Sequence, residues 1–507
     1  MATYEYIIRV SEPDAPSTWI YVASTHGRST TSGDTPASTY IPGALGSVPS
    51  FDLSIFDGIE PVLNPRASFG NVVLRDPTGD LDYLTGVVLD GGVLEIMRGT
   101  PGALVSSFST VATMMTAGLL YDIDTKTIRL HNLARILETA PLHDSVYDGS
   151  GGADGDAQLA GVVRPYAIGK VFNATPKLVD STKLIYQISD SPIWTIGAVK
   201  EGGNALSFGT SRANYAALDA SAPAAGAYDV SYNEGFLRLG SSPTLPITVD
   251  LTGDTTPTTP YLLRGNIAKQ IVTRAGTALT SGQVNSSALS TLNTDKAVDC
   301  GFFWDKPITK AAALSEVMEG CLGYWFVNLS GELVLGYLSA PGSSPVASYA
   351  YGSQTGAPTH NEVVQPVRWK TALGYQRNFT VMDVSQLAGA LSDSSKQLLA
   401  EDAQWKEDEN TSNKTTYPTS ILKRLYSGIY VGSDCATEAG VQQTLMETAR
   451  ERWRIPIYED PFTLAGLVGQ RIAVTNCPRY SWGSSRTFIL IGVSWDSRLV
   501  PIATLWG

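Results

Sequence analysis

LIGVSWDSRLVPIATLWG, residues Leu490–Gly507, closes the sequence on two apolar runs. The runs Phe488–Trp495 and Leu499–Trp506 have the length and the aromatic and β-branched content of strands. The polar triplet Asp496-Ser497-Arg498 between them predicts a turn, and therefore a hairpin. No later element is expected to cover the Trp-rich face of that hairpin. We expect the face to be covered either within its own domain or by a neighbouring subunit.

The composition favours many short strands over helical bundles. The 507 residues include 48 Gly, 28 Pro, 23 Tyr and 10 Trp, and only 17% are charged. Glycine and proline punctuate turns, and aromatic side chains suit the half-buried face of a strand. A chain of this length exceeds what one compact core organises, which predicts roughly three or four domains. The predicted fold class is mostly β and multidomain.

Three stretches rich in Gly, Ser, Thr or Pro read as linkers and divide the chain: Tyr147–Gly155 (YDGSGGADG), Asp254–Pro260 (DTTPTTP) and Pro341–Pro358. Pro257 and Pro260 lack the backbone donor that a central strand needs. The predicted domains are, in chain order, a β-rich N-terminal domain at 1–147, a β domain at 156–255, an α+β domain at 261–340, and a C-terminal β domain with two helices at 359–507.

Apolar side chains at spacings of four predict the helices. Tyr261–Gly276 carries Leu263, Ile267, Ile271 and Ala275 on one stripe and ends at a glycine, and Thr309–Leu322 repeats the pattern. With the hairpin that follows, they make the α+β domain. In the C-terminal domain, Ser394–Glu409 and Cys435–Trp453 are predicted as helices. Their stripes are interpreted as core-facing.

Charge and hydropathy exclude several kinds of partner. The formal net charge is −12 and the sequence pI is about 4.9. Basic residues form no dense cluster, and a basic stretch such as Lys423-Arg424 contains only two of them. Tight binding to the phosphates of a nucleic acid needs an excess of positive charge, so sequence-specific nucleic-acid binding is not expected. There is no apolar run of about 18 residues and no recognisable secretion signal, so we expect no transmembrane segment and synthesis in a cytoplasm.

The four cysteines, Cys300, Cys321, Cys435 and Cys477, lie far apart and form no CxxC pair. Metal and iron–sulfur sites usually draw ligands from close pairs. We interpret the cysteines as buried small hydrophobes. An iron–sulfur cluster held by all four stays open as an alternative.

The sequence contains no nucleophile elbow, HExxH motif or phosphate-binding loop, which predicts no enzymatic activity. Carboxylates such as Glu401-Asp402 and Glu407-Asp408-Glu409 leave a hydrolase formally open. Exposed aromatics such as Tyr480-Ser481-Trp482 would suit a sugar or a subunit contact. Most other tryptophans are interpreted as core residues.

Four stretches carry a resemblance: Ser150–Asn173 (SGGADGDAQLAGVVRPYAIGKVFN), Leu178–Pro192 (LVDSTKLIYQISDSP), Gly374–Thr380 (GYQRNFT) and the Leu505-Trp506-Gly507 ending. In this order they resemble the baseplate hub or tail-tip family of bacteriophages with long non-contractile tails and of related prophages. Residues 1–145 share only their β character with it. Gly151, Gly152, Gly161 and Gly169 are interpreted as turn or close-approach positions.

The resemblance implies β-barrel- or sandwich-like domains with an inserted α+β domain. It implies a homo-oligomeric ring, expected to be a trimer, at the tail end of the virion. The ring would join the tail tube and distal tail ring to the tip or fibres, and would bound the channel through which DNA and the tape-measure protein leave. No catalytic, cofactor or metal residue is implied.

Five residues are candidates for inter-subunit or structural contacts: Tyr375, Arg377, Tyr480, Trp482 and Trp506. Arg377 is expected to form a charge-assisted bond either within its domain or across a subunit boundary. Two other functions remain open beside the hub. One is a receptor- or carbohydrate-binding tail protein, suggested by the Tyr and Trp content, and the other is a tail-associated hydrolase.

Overall fold

The computed structural model describes residues 4–24, 26–56, 66–143, 145–256, 258–274, 279–361, 367–478, 480, 482–496 and 498–507. Strands account for 38% of the residues and helices for 20%, distributed over several sheets, which confirms the mostly β, multi-sheet fold class. Five residues used in the sequence-based predictions lie outside the described ranges: Pro257, Ala275, Gly276, Ser481 and Ser497. In the described ranges, no helix has the length and apolar character needed to cross a bilayer.

An N-terminal sheet of six antiparallel strands organises the first part of the chain. Its order is Trp19–Ala23, Glu5–Ser11, Val93–Gly99, Ser109–Tyr121, Thr125–His131, Val72–Arg75. Buried and more exposed residues alternate along several of these strands, which is the pattern of a sheet covered on one face. The short strands Arg28–Ser29 and Tyr40–Ile41 pair beside it.

A C-terminal sheet holds the predicted hairpin at its centre. Its main path runs Ala347–Ala350, Arg471–Thr475, Ser485–Trp495, Ile502–Trp506, Arg452–Pro456, Thr359–Asn361. The strands Ser485–Trp495 and Ile502–Trp506 pair antiparallel, as the sequence predicts. The strand Ala347–Ala350 falls inside the stretch predicted as a linker and pairs with Arg471–Thr475 in parallel.

The C-terminal sheet also takes in a hairpin from the N-terminal part. The strand Phe51–Ser54 pairs with Arg66–Phe69 on one side and with Ser485–Trp495 on the other. Apolar residues of the N-terminal sheet and of the C-terminal sheet share one hydrophobic core, called here the first core. The domain bounds stay a prediction, and strand pairing crosses them here.

Two five-stranded sheets make up the middle of the chain. One has the order Asn204–Ala205, Thr195–Glu201, Ile247–Thr252, Tyr166–Ala174, Gly301–Trp304. The other has the order Lys177–Asp180, Ile185–Gln187, Phe236–Leu239, Ala227–Ser231, Ser207–Ser211. Apolar side chains from both sheets form a common cluster. Gly301–Trp304 comes from the predicted α+β domain, so pairing crosses this boundary too.

Three helices and a hairpin form the α+β part. Arg264–Thr273 and Lys310–Glu319 are the two helices predicted from periodicity, and Ser286–Asp295 is a third that lies between them. The third helix begins where the Asn285 side chain accepts a hydrogen bond from the Ala288 amide, a standard N-cap. The hairpin consists of Gly323–Val327 and Leu333–Tyr337. Together they build the second core.

A three-stranded sheet lies in the C-terminal half, with Arg368–Tyr375 between Gln404–Glu409 and Ile421–Tyr426. The helix Gly432–Met446 packs on one face of it, where Thr371 Oγ1 donates to Gln443 Oε1 at 2.9 Å. The described residues also form short helices at Ala134–Thr139, Tyr215–Ala220, Asp393–Ala400, Ser412–Thr416 and Pro461–Ala465. Six 3-10 turns accompany them: Asp82–Gly86, Val105–Ser107, Gly152–Asp154, Ala157–Leu159, Ser281–Gln283 and Val384–Gln386.

Two of the predicted helices are shorter in the structure. The helix predicted over Cys435–Trp453 ends at Met446, and Trp453 lies in the strand Arg452–Pro456, which pairs with Ile502–Trp506. Trp453, Ile455 and Ile457 are all buried, so a spacing of two also fits this segment, and long-range pairing decides between the periods. Likewise Trp405, predicted on a helix, lies in the edge strand Gln404–Glu409.

Candidate functional site

Arg377 lies in the loop after the central strand of the three-stranded sheet. Its Nη1 atom is 2.5 Å from Glu316 Oε1, on the helix Lys310–Glu319, and the two side chains are 36% and 32% exposed. Trp304 Nε1 donates to the other carboxylate oxygen of Glu316 at 2.8 Å. The guanidinium carbon also lies 4.9 Å from the ring centre of Tyr426. The bond joins two predicted domains of the same chain and ties the α+β part to the three-stranded sheet, and a contact of Arg377 with another subunit stays a prediction.

Tyr375, the last residue of the same strand, packs at the edge of the second core. Its ring closes over Gly432 at the start of the helix Gly432–Met446, where an added Cβ would lie 2.9 Å from the ring. The Lys406 ammonium is 5.8 Å from the ring centre. Tyr375 therefore holds the sheet against its covering helix.

Tyr480 and Trp482 belong to an aromatic cluster around Trp453. The ring centres of Tyr480 and Trp482 lie 4.6 Å and 4.9 Å from that of Trp453, and Trp482 is 5.1 Å from Phe488. Trp482 is 4% exposed and packs in the first core, whereas Tyr480 is 48% exposed. Of the two, Tyr480 is the one available to another molecule.

Trp506 is completely buried. Its ring meets that of Phe56 edge-on at 5.9 Å, and the Arg450 guanidinium lies 4.9 Å from its centre. These contacts bury Trp506 against residues of the same chain, including its N-terminal part.

The first and third of the stretches that carry the resemblance, Ser150–Asn173 and Gly374–Thr380, meet at Asn173. Its Nδ2 donates to Asn378 Oδ1 at 2.8 Å and to the Thr380 carbonyl at 2.7 Å, although more than 200 positions separate the partners. Asn378 in turn donates to the Leu399 and Glu401 carbonyls, at 2.9 Å each. Asn173 is fully buried and has a φ of +55°, a conformation that asparagine tolerates better than most residues. This joint fastens the middle sheets to the C-terminal half.

The first and second motifs meet in a buried polar network. The Tyr147 hydroxyl donates to Gln187 Oε1 at 2.5 Å, and the Asp190 amide donates to the Pro165 carbonyl at 2.8 Å. Asp190 pairs with Arg274 at 2.9 Å, both side chains being 5% exposed. Asn173, Gln187 and Asp190 all lie inside the quoted motifs, so the motifs locate these joints, but their partners could not be read from spacing.

The same network continues through Tyr166. The Arg274 guanidinium stacks 3.7 Å from the Tyr166 ring centre, and the Tyr166 hydroxyl donates to Asp254 Oδ2 at 2.8 Å. Burial raises the pKa of Tyr166 well above its usual value and also raises the pKa of Asp254. Tyr166 therefore stays a neutral donor at pH 7, and these residues act as a structural joint.

A shallow groove opens on the uncovered face of the three-stranded sheet. It is lined by charged and aromatic residues that include Glu319, Glu401, Asp402, Trp405, Arg424 and Tyr426. The Tyr426 hydroxyl donates to Asp402, and this bond, together with partial burial, raises the pKa of Tyr426. The Arg424 guanidinium stacks 3.7 Å from the Trp405 ring centre. The sequence does not predict this groove, although Glu401 and Asp402 are among the carboxylates that leave a hydrolase open.

Comparison with known proteins finds no matching protein-family model and no matching curated protein. Solved structures similar to the chain include tail and virion proteins. The tail protein of Neisseria meningitidis MC58 is 11% identical, over 99% of this chain and 95% of that one, with a TM-score of 0.37. The 43 kDa tail protein of prophage MuSo2 from Shewanella oneidensis is 7% identical, over 99% and 97%, with a TM-score of 0.35. A chain of the native gene transfer agent particle is 10% identical, over 68% and 84%, with a TM-score of 0.39.

The four cysteines are buried and divided between two cores. Cys300, Cys321 and Cys435 lie in the second core and Cys477 in the first. Burial raises the pKa of Cys300 and of Cys435 to about 11, which disfavours the thiolate that an iron–sulfur cluster requires. In the described part of the chain, no three His, Cys, Asp or Glu side chains are placed to hold a metal ion. The expectation that no such cluster is bound stays a prediction.

Asn173→Ala is expected to lower the free energy of unfolding by about 2–4 kcal/mol, because it removes two buried hydrogen bonds and places alanine in a left-handed conformation. Asn173→Gly removes the bonds without the backbone strain, so the two variants separate the contributions. Thr175→Ala, which removes an exposed hydroxyl nearby, serves as control and should change stability by about 0.5 kcal/mol or less. Denaturant unfolding measures all three, and equal stabilities of Asn173→Ala and Thr175→Ala would contradict the assigned joint.

Proposed function

We propose that this protein is a structural component of a phage tail, acting as a baseplate hub. Copies of it would form a ring, expected to be a trimer, that joins the tail tube and distal tail ring to the tip or fibres. The ring would bound the channel through which DNA and the tape-measure protein leave. The protein would reside in the virion, at the end of the tail.

The observation that carries the proposal is what the recognised motifs do in the structure. Residues from the first three motifs, among them Asn173, Asp190 and Arg377, form buried or half-buried bonds between segments distant in sequence. The fourth motif buries Trp506 against Phe56. Motif side chains that bond distant segments of the chain to one another suit a structural protein, because such a protein must keep its shape within an assembly.

The chemistry of the uncovered groove supports a structural role more than turnover or sugar binding. Asp402 accepts a hydrogen bond from Tyr426, and the ring of Trp405, which a sugar would need as a stacking surface, is covered by Arg424. The net charge of −12 also suits a channel wall that must not retain DNA.

Localisation in purified particles tests the proposal. We expect peptides of this chain at a constant ratio to the tail-tube protein in gradient-purified particles, and immunogold label at one end of the tail. Absence from intact particles would refute the hub.

Two assays test the alternative functions. Saturable binding of the isolated chain on a glycan array would favour the receptor-binding function. Turnover of peptidoglycan or host polysaccharide that is abolished by Glu401→Gln or Asp402→Asn would establish a hydrolase. The hub predicts neither result.

A further inference from the structure

The three-stranded sheet has a free edge on each side. Gln404–Glu409 lies at one edge and Ile421–Tyr426 at the other, and within the described ranges neither is paired with a further strand. One face is covered by the helix Gly432–Met446, and the other is open and carries the groove. An unpaired edge is a template for strand addition unless it is blocked.

The two edges carry opposite charge. Glu407, Asp408 and Glu409 are exposed on the Gln404–Glu409 edge. Arg424 is exposed on the other edge, beside Lys423. Like charges on both edges would keep copies of a protein apart, whereas opposite charges make one edge the complement of the other.

The register of the central strand aligns the edges row by row. Ala372 lies opposite Glu407 on one side and opposite Arg424 on the other. Gly374 lies likewise between Trp405 and Tyr426, and there an added Cβ would lie 3.2 Å from both rings. A sheet continued in this register would place Arg424 of one copy against Glu407 of the next, and Tyr426 against Trp405. Oppositely charged and aromatic cross-strand pairs both stabilise a sheet.

Strand direction permits the continuation. Gln404–Glu409 runs antiparallel to the central strand and Ile421–Tyr426 runs parallel to it. The edge strands are therefore antiparallel to each other, and copies that keep the same orientation would meet in an antiparallel pair.

We propose that the Ile421–Tyr426 edge of one copy docks on the Gln404–Glu409 edge of the next copy. The contact is heterologous, because two different surfaces meet, and heterologous contacts generate rings when the rotation closes. This inference rests on the proposed function for the closed ring and names the surface that would build it. Trp405 contacts both Tyr426 and Arg424 in the single chain, and these three supply the residue types that dominate the energy of protein interfaces.

A cysteine pair tests the contact directly. Glu409 and Leu422 lie on either side of Lys370, so they occupy the same row and the substitutions leave Arg424 and Glu407 in place. Within one chain the two positions are two strand spacings apart, about 9.6 Å, which is beyond the span of a disulfide. Oxidation of the full-length Glu409→Cys, Leu422→Cys variant can therefore link these positions only between copies. The buried native thiols Cys300 and Cys435, with pKa values raised to about 11, should not compete.

We expect covalent multimers larger than dimers from the double variant on non-reducing gels, and none larger than dimers from either single variant. If the oxidised double variant stays monomeric, or yields only the products of the single variants, the contact is overturned.

Charge exchange provides the second measurement. Glu407→Arg and Arg424→Glu should each weaken self-association at least tenfold in sedimentation velocity, because like charges then face each other. A double variant that carries both Glu407→Arg and Arg424→Glu should recover assembly, because every junction then pairs opposite charges in a ring of any size. Assembly of both variants at the strength of the unmodified chain would overturn the proposal.

The two proposals fail separately. If the chain is present in purified tails but forms no linked multimers, the docking surface is wrong and the hub stands. If the multimers form but the chain is absent from particles, the surface stands and the hub fails.

Discussion

Gly169→Ala is expected to lower the free energy of unfolding by more than about 4 kcal/mol, an effect in the extreme range for single substitutions. Gly169 has a φ of +72° and pairs with Gly301 across two strands. An added Cβ would lie 2.0 Å from the Cys300 carbonyl oxygen. Backbone atoms cannot swing aside as a side chain would, so the pairing of Tyr166–Ala174 with Gly301–Trp304 would have to open.

Gly161→Ala is the matched control. Its φ is +80°, but nothing lies within 4 Å of the added Cβ, so only the backbone strain of about 1–2 kcal/mol remains. Equilibrium unfolding in guanidinium chloride, with hydrogen exchange of the Tyr166–Ala174 amides, compares the two variants. Equal losses of stability would show that close approach of the strands is not what requires glycine at position 169.

Trp506→Ala is expected to cost about 3–5 kcal/mol, the usual range for truncating a large aromatic side chain in a core. The residue is fully buried and contacts both Phe56 and Arg450. The cavity would open where the Phe51–Phe69 hairpin joins the C-terminal sheet. We therefore expect faster proteolysis near that hairpin as well as an earlier unfolding midpoint.

Tyr480→Ala serves as the comparison, because this ring is half exposed at the rim of the Trp453 cluster and should cost about 1 kcal/mol or less. Denaturant unfolding and limited proteolysis measure both variants. An unchanged stability of Trp506→Ala with loss of assembly would contradict its place in the core and indicate a subunit contact.

The parts of the fold that depend on local pattern were predictable from the sequence. The C-terminal hairpin, the helices Arg264–Thr273 and Lys310–Glu319, and the close approach at Gly169 follow from alternation, periodicity and glycine placement. The ends of the helices predicted around Trp405 and Trp453 were wrong, because spacing cannot show that a distant strand will pair there.

The candidate site was less accessible to sequence reasoning. Arg377 and Trp506 were singled out, but their partners Glu316 and Phe56 belong to distant segments. The same holds for the row that joins Glu407 to Arg424, since one residue lies before a helix and the other after it. Which charged residues share a row across the sheet can be stated only once the strand register is known.

The exchange of the Phe51–Phe69 hairpin into the C-terminal sheet has a consequence for biosynthesis. Phe51–Ser54 leaves the ribosome hundreds of residues before its partner Ser485–Trp495, a delay on the order of tens of seconds at ordinary translation rates. Until then the hairpin lacks its strand partner along one edge, and its apolar side chains are not yet packed. Prematurely released fragments would carry that defect and become substrates for chaperones and proteases. We therefore expect the N-terminal part to complete its packing only after the strand Ser485–Trp495 has been translated.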